Sequence, residues 1–307
     1  MQIQSLSIVV PNKGCVNKCP FCVSRMVKSN TYENLMDINH PCYDINVREY
    51  LNRLRYVADN GCHTLMLTGT AEPQQNKQFL ATFALLHQQI GSPFSNIEMQ
   101  TTGFRLDKDR NYIRFLRNFV GVNTIALSIN SLDDVENCKV LGQELVVLPP
   151  DELEPHTEAI APLDLHSLCA LLKEYDFNIR CCFNLTDRFN DNTVEDVFEA
   201  AKTKFYANQI TFRKLYSSDE NTEQGQWIKE HQIALNFTHA LKEFLDAKPT
   251  IGKTAYGATC HDVDGMSVIY DTDCMGKNPE TEVKKFLILR PNCKLYSQWD
   301  SPASLVF

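Results

Sequence analysis

Three cysteines crowd one short stretch near the start of the chain: Gly14-Cys15-Val16-Asn17-Lys18-Cys19-Pro20-Phe21-Cys22. The gaps between them are three residues and then two. The stretch follows Leu6-Ser7-Ile8-Val9-Val10, an apolar run that reads as a β-strand. A loop at the end of a strand can offer three thiolates together, but iron–sulfur clusters normally take four. A [4Fe–4S] cluster held by Cys15, Cys19 and Cys22 would keep one iron open for a substrate or cofactor to complete. The competing readings are a zinc knot and three unrelated thiols. Zinc sites usually pair C-x2-C with a nearby fourth Cys or His, and the first candidates downstream, His40 and Cys42, are distant.

The chain has 307 residues, room for one large α/β domain with an appendage or for two small domains. Hydrophobic residues make up 43% of it, enough for a substantial core. No apolar run reaches the roughly 18 residues of a membrane-spanning helix. The first five residues lack the charged start and cleavage site of a secretion signal. Twelve cysteines without such a signal point to the reducing cytoplasm, and to metal or free-thiol chemistry in place of disulfides. The net charge of −8 argues against a nucleic-acid partner, because proteins that grip a phosphate backbone carry a basic face. The basic clusters here are as short as Lys284-Lys285.

Hydrophobic periodicity predicts strands over 5–10, 63–68, 97–102, 123–129, 178–185 and 209–216. Helices are expected between them over 46–60, 76–90, 108–119, 164–175 and 193–204, with one longer helix over 226–246. Asn60-Gly61 and Ser92-Pro93 are the stops. Alternating β and α units argue for parallel strands joined by right-handed crossovers. Beyond about residue 250 the texture changes to two hairpins, 254–271 with its turn at Asp264-Gly265 and 286–299 with its turn at Pro291-Asn292. The expected division is a barrel over 1–250 and a C-terminal β-rich extension over 251–307 that covers it. Residues 137–163 read as a long irregular segment, either a functional loop or an ordinary surface insertion.

The C-x3-C-x2-C pattern, with aromatic Phe21 just before the last cysteine, resembles the signature of the radical S-adenosylmethionine (radical SAM) superfamily. The resemblance implies an α/β fold, a partial (β/α)6 TIM-type barrel, and six β/α units is the number the sequence shows. It also implies a [4Fe–4S] cluster on Cys15, Cys19 and Cys22 whose open iron binds S-adenosylmethionine, and reductive cleavage to a 5′-deoxyadenosyl radical. The electron donor expected with that chemistry is of the flavodoxin or ferredoxin type.

Barrel strands deliver functional residues at their C-terminal ends. Strand two ends in Thr68-Gly69-Thr70-Ala71-Glu72-Pro73, which resembles the Gly-Gly-Glu-Pro motif of the family. Thr70 and Ala71 stand where the family has paired glycines; Glu72 and Pro73 are kept. By resemblance Gly69, Thr70, Ala71 and Glu72 meet the amino group of S-adenosylmethionine, Ser128 and Asn130 its ribose or carboxylate, and Asn184 and Phe21 line the same site. Arg180, Cys182 and Asn184 alternate onto one face of strand five. Arg213 lies opposite in parity to Phe212 on strand six, and either arginine suits a carboxylate. Cys181 and Cys182 read as buried small residues.

In the extension, Cys260, Cys274 and Cys293 are candidates for an auxiliary cluster or are unrelated thiols. Tyr216, Tyr256, Cys260 and Tyr296 are candidate hydrogen donors to a product radical. The expected reaction is radical modification of a small-molecule or nucleotide substrate. The alternatives are peptide modification and a non-catalytic iron–sulfur or zinc protein.

Overall fold

The computed structural model describes residues 2–12, 14–26, 45–104, 106–143, 163–217, 220–254, 258–272, 283–299 and 301–307. The chain opens with β1 (Gln2–Ile3) and β2 (Ser5–Val9). The cysteine loop follows and leads into a short helix α1 (Val23–Met26). Helix α2 (Val47–Asp59) then begins a regular alternation: β3 (Thr64–Thr68), α3 (Lys77–Gln89), β4 (Asn96–Thr101), and α4 (Arg110–Arg114), which continues through a wide π-type turn over Phe115–Val120. Next come β5 (Thr124–Ile129), α5 (Asp134–Val140), α6 (Leu165–Glu174), β6 (Asn178–Leu185), α7 (Val194–Thr203) and β7 (Gln209–Lys214). Helices α8 (Glu223–Glu230) and α9 (Leu235–Asp246) precede the tail strands β8 (Thr250–Lys253), β9 (Thr259–Val263), β10 (Met266–Asp271), β11 (Val283–Lys284), β12 (Leu287–Leu289) and β13 (Leu295–Tyr296).

The crossover helices start where the chain supplies a cap. Asn46, Asn76, Asp109, Asp133, Asp164 and Thr193 each accept a hydrogen bond from a backbone N–H of the first turn, a contribution of about 1 kcal/mol per cap. Strands β2 to β7 pair parallel in chain order, as the six β/α units require. Their outward residues, such as Leu65, Leu67, Ile125, Leu127, Ile179 and Phe183, join the helices in one core. Ring contacts tie that core across β6, β7 and α7: Phe183 stacks on Phe212 at 5.4 Å, and Phe198 meets Phe212 at 5.6 Å.

The tail does more than form hairpins. Strands β9 and β10 pair antiparallel, as do β12 and β13. In addition β10 lies parallel to β7, and β12 parallel to β2. The sheet therefore has the order β13-β12-β2-β3-β4-β5-β6-β7-β10-β9-β8. The tail lengthens both edges of a partial TIM-type barrel, and no pairing among the described residues joins the two ends.

Two expectations are corrected. The apolar spacing over 226–246 predicts one helix, but α8 and α9 are separate. The break at 231–234 is imposed from the β6–α7 connection: His231 Nδ1 lies 2.8 Å from Asp187 Oδ2, Gln232 bridges Thr186, and the Ala234 N–H donates to Asn190 Oδ1 at 2.9 Å. Tertiary bonds here outweigh helical periodicity. The segment expected to be irregular from 137 instead lies within α5 as far as Val140, where Asp133 caps the helix; its remainder from 144 to 162 lies outside the described residues.

Gly103 sits two residues past the end of β4 with φ +80°, and a Cβ there would meet Leu168 Cδ2 at 2.6 Å and Leu127 Cδ2 at 3.2 Å. Gly103→Ala should lower the free energy of unfolding by about 2–5 kcal/mol, from left-handed backbone strain plus overpacking. A urea midpoint equal to that of the natural chain would refute both contributions.

Candidate active site

The cysteine loop has no regular structure of its own, so its shape must come from side chains that satisfy its backbone. Asn17, buried at 3% exposure between Cys15 and Cys19, is the centre of that support. Its Nδ2 donates to Glu72 Oε2 at 3.3 Å and to Thr102 Oγ1 at 3.1 Å, and its Oδ1 accepts from Gln143 Nε2 at 2.8 Å. Glu72 Oε2 also accepts from the Thr102 N–H and hydroxyl, each at 3.0 Å. Around this knot the Val16 N–H donates to Gln75 Oε1 at 2.9 Å, the Lys18 N–H to the Leu141 carbonyl at 2.8 Å, and Asn76 Nδ2 to the Pro11 carbonyl at 2.6 Å. The loop is thus bolted to the ends of β3, β4 and α5.

The three thiols share one electrostatic environment. Burial pushes the Cys19 thiol up to about 12, and negative charge on Cys22 and Cys15 pushes the same way. Cys22 Sγ lies 2.9 Å from Ser24 Oγ, which is itself 3.2 Å from the Thr70 carbonyl. Among the described residues no three His, Cys, Asp or Glu converge on a single point as one metal ion would need. A [4Fe–4S] cluster makes a different demand, one thiolate per iron, and this loop supplies three.

A cavity of about 650 Å³ opens beside the loop, within the range of small-molecule and cofactor sites. Cys19, Phe21, Cys22, Gly69, Thr70, Ser128 and Asn184 all line it. Of these, Gly69 is the residue whose size matters: a Cβ there would stand 3.0 Å from the Val10 carbonyl, so a bare backbone borders the cavity. These residues offer a polar ligand beside the cysteine loop backbone carbonyls that can accept from a cation, together with a hydroxyl and an amide that can bond hydroxyls or a carboxylate.

Other expected site residues stand behind the lining. Asn130 is fully buried; its Oδ1 accepts from Asn184 Nδ2 at 2.9 Å, and its own N–H donates to Asn137 Oδ1 at 2.8 Å. Its part is to orient Asn184. Glu72 points into the loop support and Ala71 lies beside it, both off the cavity lining. Burial raises the Glu72 pKa, opposed by the donors on Thr102 and Asn17. Its Oε1 meets no donor among the described residues. Arg180, Arg213 and Tyr216 line the cavity, whereas Cys181 and Cys182 are buried thiols. Tyr296 packs with Phe286 and Trp299, and Tyr256 lies outside the described residues. Cys260 and Cys293 are not brought together. Cys260 is on β9 near one end of the strand order, Cys293 sits against Asn46 between β12 and β13 at the other, and Cys274 lies outside the described residues.

The loop's main support, Asn17, escaped motif reading, as did Thr102 and Gln143. Its only trace in the sequence is an amide set inside a three-residue gap. Asn17→Ala removes three hydrogen bonds and exposes Glu72 Oε2 to a poorer donor set, at a cost of about 1–3 kcal/mol. The variant should unfold at lower urea and take up less iron per chain on reconstitution. Iron content equal to that of the natural protein would show that the cysteines hold their shape without this support.

A family model described as the radical SAM superfamily matches residues 9–153. Among solved structures, SuiB of Streptococcus suis superposes with a TM-score of 0.54 at 11% identity, covering 96% of this chain and 60% of that one. SuiB bound to S-adenosylmethionine gives a TM-score of 0.54 at 13% identity over 96% of this chain and 60% of that one. SuiB bound to its precursor peptide SuiA gives 0.51 at 13% identity over 96% and 59%. At these identities the likeness is one of fold, and this chain spans about 60% of the length of SuiB. No curated protein sequence matches the chain. No helix among the described residues is long and apolar enough to cross a membrane. The cysteine loop at the end of the first barrel strand, the cavity it borders and the family match agree: residues 9–153 of the chain carry a match to the radical SAM superfamily, whose members are enzymes.

Proposed function

We propose that this protein binds S-adenosylmethionine beside a cluster on Cys15, Cys19 and Cys22 and uses its reductive cleavage to modify a small-molecule or nucleotide substrate. The observation that carries the reading is the joint lining of one cavity by Cys19, Cys22, Gly69, Thr70, Ser128 and Asn184. Cys15, Cys19 and Cys22 would hold a [4Fe–4S] cluster, which would supply the electron for reductive cleavage of S-adenosylmethionine.

The chain's own residues bind, orient and shield. The backbone at Gly69 and Thr70 receives the ammonium end of the cofactor. Ser128 and Asn184 hold its hydroxyls or carboxylate, Asn184 being kept in place by Asn130. Glu72 acts through Asn17 as a positioning residue, and its unused Oε1 is the atom that remains to attract a cation. Phe21 beside Cys22, with Phe286 and Trp299 elsewhere on the wall, gives the cavity an apolar lining that keeps bulk water from a reactive carbon radical. A flavodoxin- or ferredoxin-type protein delivers the electron, and the reducing cytoplasm is the fitting compartment. A peptide substrate is the second reading, favoured by the shared fold with SuiB and its peptide complex.

The test is anaerobic. The protein is reconstituted with iron and sulfide, given S-adenosylmethionine and dithionite, and assayed for 5′-deoxyadenosine by mass, with Cys19→Ala in parallel. The expected result is product from the natural chain and a loss of at least a hundredfold in the variant. An intact four-iron cluster that binds S-adenosylmethionine yet gives equal, background product in both proteins would overturn the reading.

A further inference from the structure

We propose that Ser24 is a positioning residue for the cluster: its hydroxyl donates to the Cys22 sulfur, which makes the cluster easier to reduce and leaves the Thr70 carbonyl for the ammonium of the cofactor. The inference rests on the reading of Cys15, Cys19 and Cys22 as cluster ligands and deepens it to the control of electron transfer.

Ser24 is the second residue of α1, the short helix that begins directly after Cys22. The Arg25 N–H donates to the Cys22 carbonyl at 3.0 Å, and Met26 is buried. On the other side of Cys22, Phe21 meets Trp227 of α8 with ring centroids 5.6 Å apart. These contacts fix the turn that carries Ser24. Its Oγ then lies 2.9 Å from Cys22 Sγ and 3.2 Å from the Thr70 carbonyl, and Cys22, Ser24 and Thr70 all line the cavity. One side chain thus touches both a cysteine of the loop and the turn after β3.

A serine hydroxyl has a single hydrogen to give, and here two acceptors stand within its reach. A sulfur bound to iron is a thiolate with no hydrogen of its own, so in the contact with Cys22 the hydroxyl is the donor. Were the hydrogen turned to Thr70, the hydroxyl lone pairs would face that sulfur at 2.9 Å. The sulfur is the nearer acceptor and the charged one, and bonds to an ionised partner are about twice as strong as bonds between neutral groups. The hydrogen therefore goes to the sulfur, and the Thr70 carbonyl is released to accept from a cation. Cys15 is served differently: burial raises its pKa, and hydrogen bonds from the Asn17 and Glu72 N–H groups oppose the rise. Those donors are main chain, whereas the donor at Cys22 is a side chain and so a choice of sequence. When a flavodoxin- or ferredoxin-type donor gives the cluster one electron, part of the added negative charge falls on the ligand sulfurs. A hydrogen bond to such a sulfur stabilises the reduced form more than the oxidised form and raises the potential.

The measurement is a reduction potential. The full chain and its variants are reconstituted anaerobically, counted for iron and sulfide, and titrated with dithionite without S-adenosylmethionine while the electron-spin signal of the reduced cluster is followed. Ser24→Ala should hold as much iron as the natural chain, with its reduction equilibrium at least tenfold less favourable, a midpoint lower by about 59 mV for one electron. Ser24→Thr, which keeps the hydroxyl, should stay within threefold of the natural chain. An unchanged or raised midpoint in Ser24→Ala would overturn the inference. Loss of the cluster from Ser24→Ala would overturn it too, by making the hydroxyl a structural group. Because nothing is cleaved in this assay, a potential indifferent to Ser24 leaves the proposed reaction standing, whereas a natural chain that assembles no four-iron cluster refutes both.

Discussion

A buried hydrogen-bond knot governs this molecule: Asn17, Glu72 and Thr102, closed by Gln143. The residues it joins come from four places in the chain: the cysteine loop, the turn after β3, the end of β4 and the residues after α5. Each strand end is fixed by its own ladder and by the helix behind it. The knot carries that rigidity into a loop that has no ladder. A carboxylate with a dry environment and too few donors is costly. Here one oxygen of Glu72 takes three bonds while the other takes none. The carboxylate is therefore stable only while the loop keeps its place, so the geometry of the cysteines and the ionisation of Glu72 are linked.

The same division of labour runs through the sheet. Every inner strand presents an apolar set to the helices and a polar set to the lumen, so a single alternation builds both the core and the cavity. On β6 the outward set is Ile179, Cys181 and Phe183, while Arg180 and Asn184 line the cavity with Cys182 buried between them. A slip of one residue in register would send Arg180 into the aromatic cluster and Phe183 into the cavity. The aromatic contacts of Phe183 with Phe189, Phe205 and Phe212 therefore hold the arginine in its functional position as well as stabilising the fold.

Much of this was legible in the chain because the signals are local. The parity of β6 and β7, the cysteine spacing and the strand-end Gly69-Thr70 each need only neighbouring residues. What could not be read were relations between distant segments. The tail reads as two hairpins, and hairpins they are, but nothing in 266–271 or 287–289 announces a parallel partner in β7 or β2. The periodicity over 226–246 is continuous, yet Asp187 and Asn190, some forty residues earlier, interrupt it. Glu72 shows the same limit within the site. The turn is where the motif puts it, but the direction of its carboxylate depends on Asn17 and Thr102, which no spacing rule connects.

Electrostatics follows from that arrangement. Burial and mutual repulsion favour protonated thiols at Cys15 and, most strongly, Cys19, and burial favours a protonated Glu72. Ionising this group of acids together demands compensating positive charge close by. Arg25 stands at the loop, its Nη2 donating to the Asn17 carbonyl at 3.4 Å, whereas Arg180 is committed to Glu98. Metal ions bound by the thiolates would add to that positive charge, and loading them would release the thiol protons. The shape of the loop and the charge it can carry are therefore set by the same few residues, Asn17 and Glu72 among them.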